Sequence, residues 1–317
     1  AVLAPLNWRL AAAELDYVVN HSEAKLLMAD AAFLDTVAKV RMTHARTVVT
    51  TEPGRPDSLL AWASAFAAID PGYRPAVGET ALQLYSSGTT GKPKGVELSH
   101  ANLLFQANVI SGHFGYRRGK PVVLLDALPT FHVSGIVNTL TIMHEGALTV
   151  ARPEFVADEI ADTIVRHGVT NTFLVPTMMR MLAQSVAARN MELPSLRAVG
   201  YGGSPVSETV LREVREALGC GLIQVFGMTE LAGMATCLAP EDHDDAEKLR
   251  SAGQPLTGVK LRVVDVNTLA PCPEGTIGEL WVQSGSVMKG YFRNSEASRD
   301  ALPEVPGEGR WLRTGGA

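Results

Sequence analysis

The sequence predicts an α/β fold, with parallel-rich sheets flanked by helices and a smaller β-rich subdomain at the C-terminal end. Three observations carry that expectation. From Ala12 to about Pro205, short apolar runs alternate with helical patterns, which is how a chain built of βαβ units reads. A segment dense in glycines and hydroxyls, residues 84–95, stands between two apolar runs. After Pro255 the texture changes to strand-like runs joined by turn residues. The expected division is an α/β nucleotide- and acyl-binding core over 1–254 and a β-rich subdomain over 255–317.

In chain order, residues 59–69 form the longest apolar stretch and read as a packed helix interrupted by Ser64. Residues 81–84 and 96–98 read as strands on either side of the glycine-rich segment. Strands follow over 122–125, 147–150, 171–175 and 196–199, with an amphipathic helix over 157–167. A second helix is expected over 207–218, where Ser207 can cap the first turn and Val210, Leu211, Val214 and Leu218 share one face. The acidic run Glu241-Asp242-His243-Asp244-Asp245 reads as a solvated loop, because nothing in its spacing fixes a metal geometry. In the last part, residues 259–264 and 276–282 read as strands, joined by the turn-rich residues 267–275.

Composition narrows the class. With 317 residues, 46% hydrophobic and 19% charged, the chain has material for a sizeable core and is not a disordered polymer. A net charge of −5 gives no reason to expect nucleic acid or an anionic membrane as partner. The three cysteines Cys220, Cys237 and Cys272 are widely separated, which fits a reducing compartment and neither a disulfide frame nor a zinc site. No apolar run approaches the ~20 residues needed to span a bilayer. There is also no basic stretch of signal-peptide type, so the expectation is a cytoplasmic protein without a transmembrane segment.

The most informative segment is Leu84-Tyr85-Ser86-Ser87-Gly88-Thr89-Thr90-Gly91-Lys92-Pro93-Lys94-Gly95. Glycines let backbone N–H groups come close to a ligand, hydroxyls donate to phosphate oxygens, and lysines neutralise them. A flexible linker is a poor reading, since Pro93 stiffens the segment and the lysines stand at its end. A Walker A loop is excluded as well. Gly91-Lys92 would require glycine at Ser86 and a hydroxyl at Pro93, and the proline prevents the expected helix start. The chemistry indicated is the handling of a triphosphate by some other device.

The segment resembles the signature of the adenylate-forming (AMP-binding) superfamily, which comprises acyl- and aryl-CoA synthetases, luciferases and the adenylation domains of peptide synthetases. The match to Tyr/Thr-Ser-Ser/Gly-Gly-Thr-Thr-Gly-x-Pro-Lys-Gly is complete, and further segments follow in the family's order. Pro129-Thr130-Phe131-His132-Val133-Ser134-Gly135 resembles the segment that lines the acyl pocket. Gly200-Tyr201-Gly202-Gly203-Ser204-Pro205 resembles the one passing along adenine. Gln224-Val225-Phe226-Gly227-Met228-Thr229-Glu230 resembles the aromatic-Gly-x-Thr-Glu motif, with Phe226 where tyrosine is usual. Gly253–Val259, Gly290-Tyr291-Phe292-Arg293-Asn294 and Trp311-Leu312-Arg313-Thr314-Gly315 resemble further family segments, the first two read as structural.

The resemblance implies an acyl-CoA synthetase or fatty-acid–CoA ligase type of enzyme, using ATP, Mg²⁺ and CoA on a fatty or aryl acid. By that likeness Ser86, Ser87, Gly88, Thr89, Thr90, Gly91 and Lys94 would hold the β- and γ-phosphates. Gly202, Gly203, Ser204, Pro205, Gln224, Phe226, Gly227 and Met228 would surround the nucleotide. Thr229 would contact the α-phosphate and Glu230 would hold the metal. The residues expected to take part in the chemistry are Thr90, Lys94, His132, Thr229 and Glu230. Aspartate is common at the position of His132 in relatives that activate amino acids, so the histidine points away from that substrate class. The neighbours Val133, Val225, Met228, Leu231 and Met234 suggest an apolar acid.

Relatives continue Thr-Gly-Asp, whereas Thr314-Gly315 is followed here by Gly316-Ala317. The ribose-gripping aspartate and the family's C-terminal lid domain lie beyond the match, and residues 1–10 resemble a segment that is internal in relatives. The expectation is a truncated member with weakened nucleotide binding and slow turnover, with a non-catalytic nucleotide-binding fragment or an amino-acid-activating domain as the alternatives.

Overall fold

The computed structural model describes residues 1–45, 47–86, 92–116 and 121–316. The chain opens with α1 (Ala12–His21), β1 (Leu26–Ala29), α2 (Leu34–Val37), β2 (Thr47–Thr50) and α3 (Leu59–Ser64). Next come β3 (Thr80–Ser86), β4 (Lys94–Ser99), α4 (His100–His113), β5 (Val123–Asp126), α5 (Val133–Glu145) and β6 (Leu148–Ala151). The middle of the chain supplies α6 (Ala157–His167), β7 (Asn171–Leu174), α7 (Pro176–Ala188), β8 (Ala198–Gly202), α8 (Glu208–Leu218), β9 (Gly221–Met228) and β10 (Gly233–Leu238). Then follow β11 (Gln254–Pro255), β12 (Lys260–Val264), β13 (Glu279–Gln283) and β14 (Gly290–Tyr291).

The principal sheet has seven strands in the order β11-β10-β9-β8-β7-β5-β6. Strands β6, β5, β7, β8 and β9 are parallel, and β10 and β11 are added antiparallel. Alternation along these strands sends side chains to two helical layers. Leu125, Val199 and Leu222 pack with Ile160, Ile164, Met179, Leu182, Leu211 and Val214 of α6, α7 and α8. Their neighbours Leu124, Ala198 and Ile223 face Val109 and Ile110 of α4 and Ile136 and Val137 of α5. Both layers rest on burial of aliphatic side chains, each worth ~1.5–3 kcal/mol.

Helix α6 keeps both expected ends, because Gly168 in the left-handed conformation (φ 60°) closes it. Helix α8 begins one residue after Ser207, whose hydroxyl accepts from the Val210 amide as the cap. Other expectations need correcting. The segment 59–69 is not a packed helix: α3 stops at Ser64 with no buried residue, and Leu60 and Ile69 are 69% and 77% exposed. A six-residue helix is too short to present a continuous apolar stripe to a neighbour. Residues 241–244 lie in a 3-10 turn, Pro240–Asp244, that buries His243 rather than leaving the whole acidic run solvated. The strand expected at 276–282 forms as Glu279–Gln283.

The strands around the glycine-rich segment stand outside the parallel sheet. β3 and β4 pair antiparallel, with Ser86 opposite Lys94 at the last rung, and β14 joins on the other edge of β4. Leu82, Leu84, Val96 and Leu98 from this hairpin are buried in the same core as α4 and α5. In the last part of the chain β12, β13 and Leu312–Arg313 form a three-stranded antiparallel sheet. There the buried Glu279 carboxylate accepts from Trp281 Nε1 (3.0 Å), Arg313 Nε (2.9 Å) and the Gly315 amide (3.1 Å). The three cysteines are free, and among the described residues no helix is long and apolar enough to cross a membrane.

Candidate active site

Open parallel sheets bind ligands beyond the carboxyl ends of their strands, and the cavity of interest lies there. It measures about 160 Å³. α4 contributes Ile110, Phe114 follows that helix, and α5 supplies Val133, Ser134, Val137 and Asn138. The sheet side is formed by Phe173 and Val175 at the end of β7, Gly202 and Gly203 at the end of β8, Val225 and Gly227 of β9, and Gly233 and Met234 of β10. None of these described lining residues is charged.

Three of the glycines on and beside this wall are required by close approach. A Cβ on Gly200 would lie 2.5 Å from the Phe114 ring and 2.7 Å from that of Phe173. One on Gly202 would lie 2.5 Å from the Val225 carbonyl oxygen, and one on Gly227 only 1.8 Å from that of Gly233. These contacts correct two expectations. Gly200, Tyr201 and Gly202 are the last three residues of β8, not a loop following a strand over 196–199, because Gly200 pairs on both sides, with Phe173 and Ile223. Likewise Gln224, Phe226, Gly227 and Met228 lie within β9 and not after it, since pairing with β10 extends that strand. Gly203, Ser204 and Pro205 form the exposed connection to α8.

A polar cluster stands at the turn of the β9–β10 hairpin. Thr229–Leu231 make a 3-10 turn that buries the Glu230 side chain. Tyr291 donates its hydroxyl to Glu230 Oε1 at 2.9 Å, and the Met288 amide donates to the Glu230 carbonyl at 2.8 Å. Burial and the neighbouring carboxylate push the Tyr291 phenol well above its ordinary range. The Lys94 ammonium lies over the Tyr291 ring, 5.0 Å from its centre. Lys94 from β4, Glu230 from the hairpin turn and Tyr291 from β14 thus meet. Sequence reasoning missed Tyr291, although Gly290-Tyr291 belongs to a segment noted for its family likeness.

Other expected residues are dispersed. Phe226 is half-buried and packs on the main core. The Gln224 side chain accepts from the Tyr201 hydroxyl (3.1 Å) and donates to the Ser251 carbonyl (3.4 Å), so protein groups occupy both its ends. His132 is exposed at the N-cap of α5 and is not in the cavity lining; its chain neighbours Val133 and Ser134 are. Partial enclosure of the ring and the Arg9 guanidinium hold its pKa below the ordinary imidazole value. Of the apolar neighbours expected, Val133, Val225 and Met234 line the cavity, Leu231 is fully buried and Met228 packs against the core. Ser87, Gly88, Thr89, Thr90 and Gly91 lie outside the described residues.

The arrangement matches known proteins. A family model described as "AMP-binding enzyme" covers residues 1–292. The chain belongs to the AMP-binding enzyme family. Among relatives, the fatty acid–acyl-carrier-protein ligase ScoC of Streptomyces coeruleorubidus is 31% identical over 322 residues, spanning 100% of this chain and 60% of that protein. The indoleacetate–CoA ligase of Aromatoleum aromaticum is 32% identical over 326 residues, spanning 99% of this chain and 61% of its own. ATP-bound MatB from Rhodopseudomonas palustris superposes with a TM-score of 0.85 at 29% identity, over 99% of this chain and 60% of that one. The chain therefore spans about 60% of the length of the relatives it matches. Members of the AMP-binding family that are CoA ligases use ATP and CoA.

Proposed function

We propose that this AMP-binding protein activates a carboxylic acid as its acyl-adenylate and passes the acyl group to a thiol, with CoA as acceptor. One observation carries the reading. The β9–β10 hairpin gives Gly227, Gly233 and Met234 to the apolar cavity and, in the turn between them, Glu230 to the polar cluster with Lys94 and Tyr291. One short segment thus joins a site for an uncharged acid tail to a site suited to phosphate.

In the first half-reaction a carboxylate oxygen of the acid attacks the α-phosphorus of ATP, the bond to the β-phosphate oxygen breaks, and pyrophosphate leaves. In the second, the thiol sulfur bonds to the acyl carbon, AMP departs with the shared oxygen, and the thiol proton passes to solvent. Ser86, Ser87, Gly88, Thr89, Thr90, Gly91 and Lys94 are assigned to the β- and γ-phosphates. Lys94, at the base of the β3–β4 hairpin, would balance the charge that grows on the leaving pyrophosphate. Thr229 is assigned to the α-phosphate, and Phe226, Gly227, Met228 and Gly202 through Pro205 to the nucleotide base. Gln224 is assigned beside them. His132 is assigned to the cavity mouth, near the acid's carboxylate. A magnesium ion, when bound, would shield the triphosphate charge. The buried Glu230 carboxylate fits as its protein ligand, because Mg²⁺ is typically held by one or two carboxylates plus phosphate oxygens and water.

An amino acid is a poor fit, since no acidic side chain is among the described lining residues to pair with an ammonium. Residues 1–254 and 255–317 are retained as the proposed core and β-rich subdomain. The test is acid-dependent exchange of labelled pyrophosphate into ATP across fatty, aryl and amino acids. Exchange with fatty or aryl acids is expected, falling ~10²–10³-fold in Lys94→Ala and Glu230→Gln. Exchange that is indifferent to both substitutions would remove this reading.

A further inference from the structure

The geometry points to a narrower substrate class: a compact aryl acid that carries an acceptor oxygen on its ring, selected by the side-chain amide of Asn138. This rests on the reading that the cavity receives the acid. Three observations support it. The cavity, at about 160 Å³, is close to the ~150 Å³ of an apolar cavity that accepts a benzene ring. Its aromatic walls, Phe114 and Phe173, are held against the bare backbone of Gly200, which fills the space where they could otherwise retreat. Offset or edge contacts with such rings favour a flat aromatic guest over an alkyl chain. On the sheet side, Gly202 and Gly227 press so closely on neighbouring carbonyl oxygens that a longer tail finds backbone rather than a movable side chain.

The third observation supplies the polar requirement. Asn138 sits on α5 among apolar lining residues, is 8% exposed, and its Nδ2 has no hydrogen-bond partner. A buried amide left without a partner is costly, and such groups are rare enough that each calls for an explanation. An oxygen on the ring of a bound acid would complete it. Packing alone offers no benefit from asparagine here, since an apolar side chain such as valine or leucine would fill the same place without an orphaned donor. Sites that hydrogen-bond a substrate oxygen discriminate strongly against analogues lacking it, because the protein group is then left unpaired.

The experiment measures direct binding of free acids to the purified chain by isothermal titration, alongside pyrophosphate exchange. The panel is phenylacetate, its 2-, 3- and 4-hydroxy derivatives, dodecanoate and phenylalanine, each with wild type, Asn138→Leu and Asn138→Val. At least one hydroxylated ring is expected to bind wild type about tenfold more tightly than phenylacetate, the size of one net hydrogen bond. Both variants should lose that preference, binding plain and hydroxylated rings equally. Dodecanoate and phenylalanine should bind more weakly than either aryl class. Equal binding of plain and hydroxylated rings, tightest binding of dodecanoate, a preference that survives both substitutions, or no binding at millimolar acid would each overturn the inference. The wild-type comparison stands even if a variant fails to fold. Selective binding without exchange would remove the adenylation reading and keep this one. Exchange without an Asn138-dependent preference would do the reverse.

Discussion

Tyr291 and Glu230 are 61 positions apart, yet their side chains share a 2.9 Å hydrogen bond beside Lys94. The sequence made Lys94 and Glu230 readable, because a lysine closing a glycine- and hydroxyl-rich segment and a carboxylate after an aromatic-glycine pair each suggest phosphate chemistry. Tyr291 was not readable, since its role exists only once β14 pairs with β4. Tyr291→Phe removes the donor and leaves a buried carboxylate oxygen under-satisfied. The expected loss is ~1–3 kcal/mol of stability, seen as a lower urea midpoint with an unchanged slope. Gly200→Ala inserts a methyl group into two aromatic rings, and overpacking of that kind costs ~1–3 kcal/mol. Because those rings are also cavity walls, the same variant should bind aryl acids more weakly in isothermal titration. A Gly200→Ala protein with wild-type melting and wild-type acid affinity would contradict the packing described.

Elements with strong local signals were legible and those defined by pairing were not. Helix α6 was readable at both ends, since an amphipathic stripe ran into Gly168. The ends of β8 and β9 were not, because Gly200, Gly202 and Gly227 carry no strand signal of their own and become strand residues only by pairing with their neighbours. The turn Pro240–Asp244 hid a further feature inside its acidic run. His243 Nδ1 donates to the Ala239 carbonyl at 2.8 Å, and its Nε2, 3.0 Å from the Tyr201 hydroxyl, shares that hydroxyl's single proton with Gln224 Oε1. Burial holds the His243 pKa below the ordinary 6.5, helped by Arg215 and opposed by the hydrogen bond to the Ala239 carbonyl and by Asp242 and Asp244. The unfolded chain therefore takes up the proton more readily. This contribution to stability is complete above pH 6.5 and is lost as pH falls through the lower folded value. Urea midpoints measured from pH 7.5 to 5 should fall, and His243→Gln should flatten part of that slope.

Across the molecule, the last part of the chain is stitched to the first. Asn102 of α4 donates to the Gly285 and Val287 carbonyls at 2.8 and 2.9 Å, and the Phe292 amide donates to the Gly95 carbonyl at 2.7 Å. Val287, Met288 and Leu312 lie in the same buried cluster as Leu82 and Val96. Met288→Ala should therefore cost ~2–5 kcal/mol and shift the circular-dichroism and tryptophan-fluorescence transitions together; separation of the two would show independent units. The cavity, finally, has two unlike walls. The sheet wall is bare backbone at Gly202 and Gly227, which admit no side chain, while the helical wall from α4 and α5 is made of side chains with room to vary. Natural drift and laboratory selection alike can write new tastes on the helical wall and on the side chains of the strands, but not at Gly202 or Gly227. The palate of this scaffold can change from acid to acid while the hairpin that holds Glu230 stays as it is.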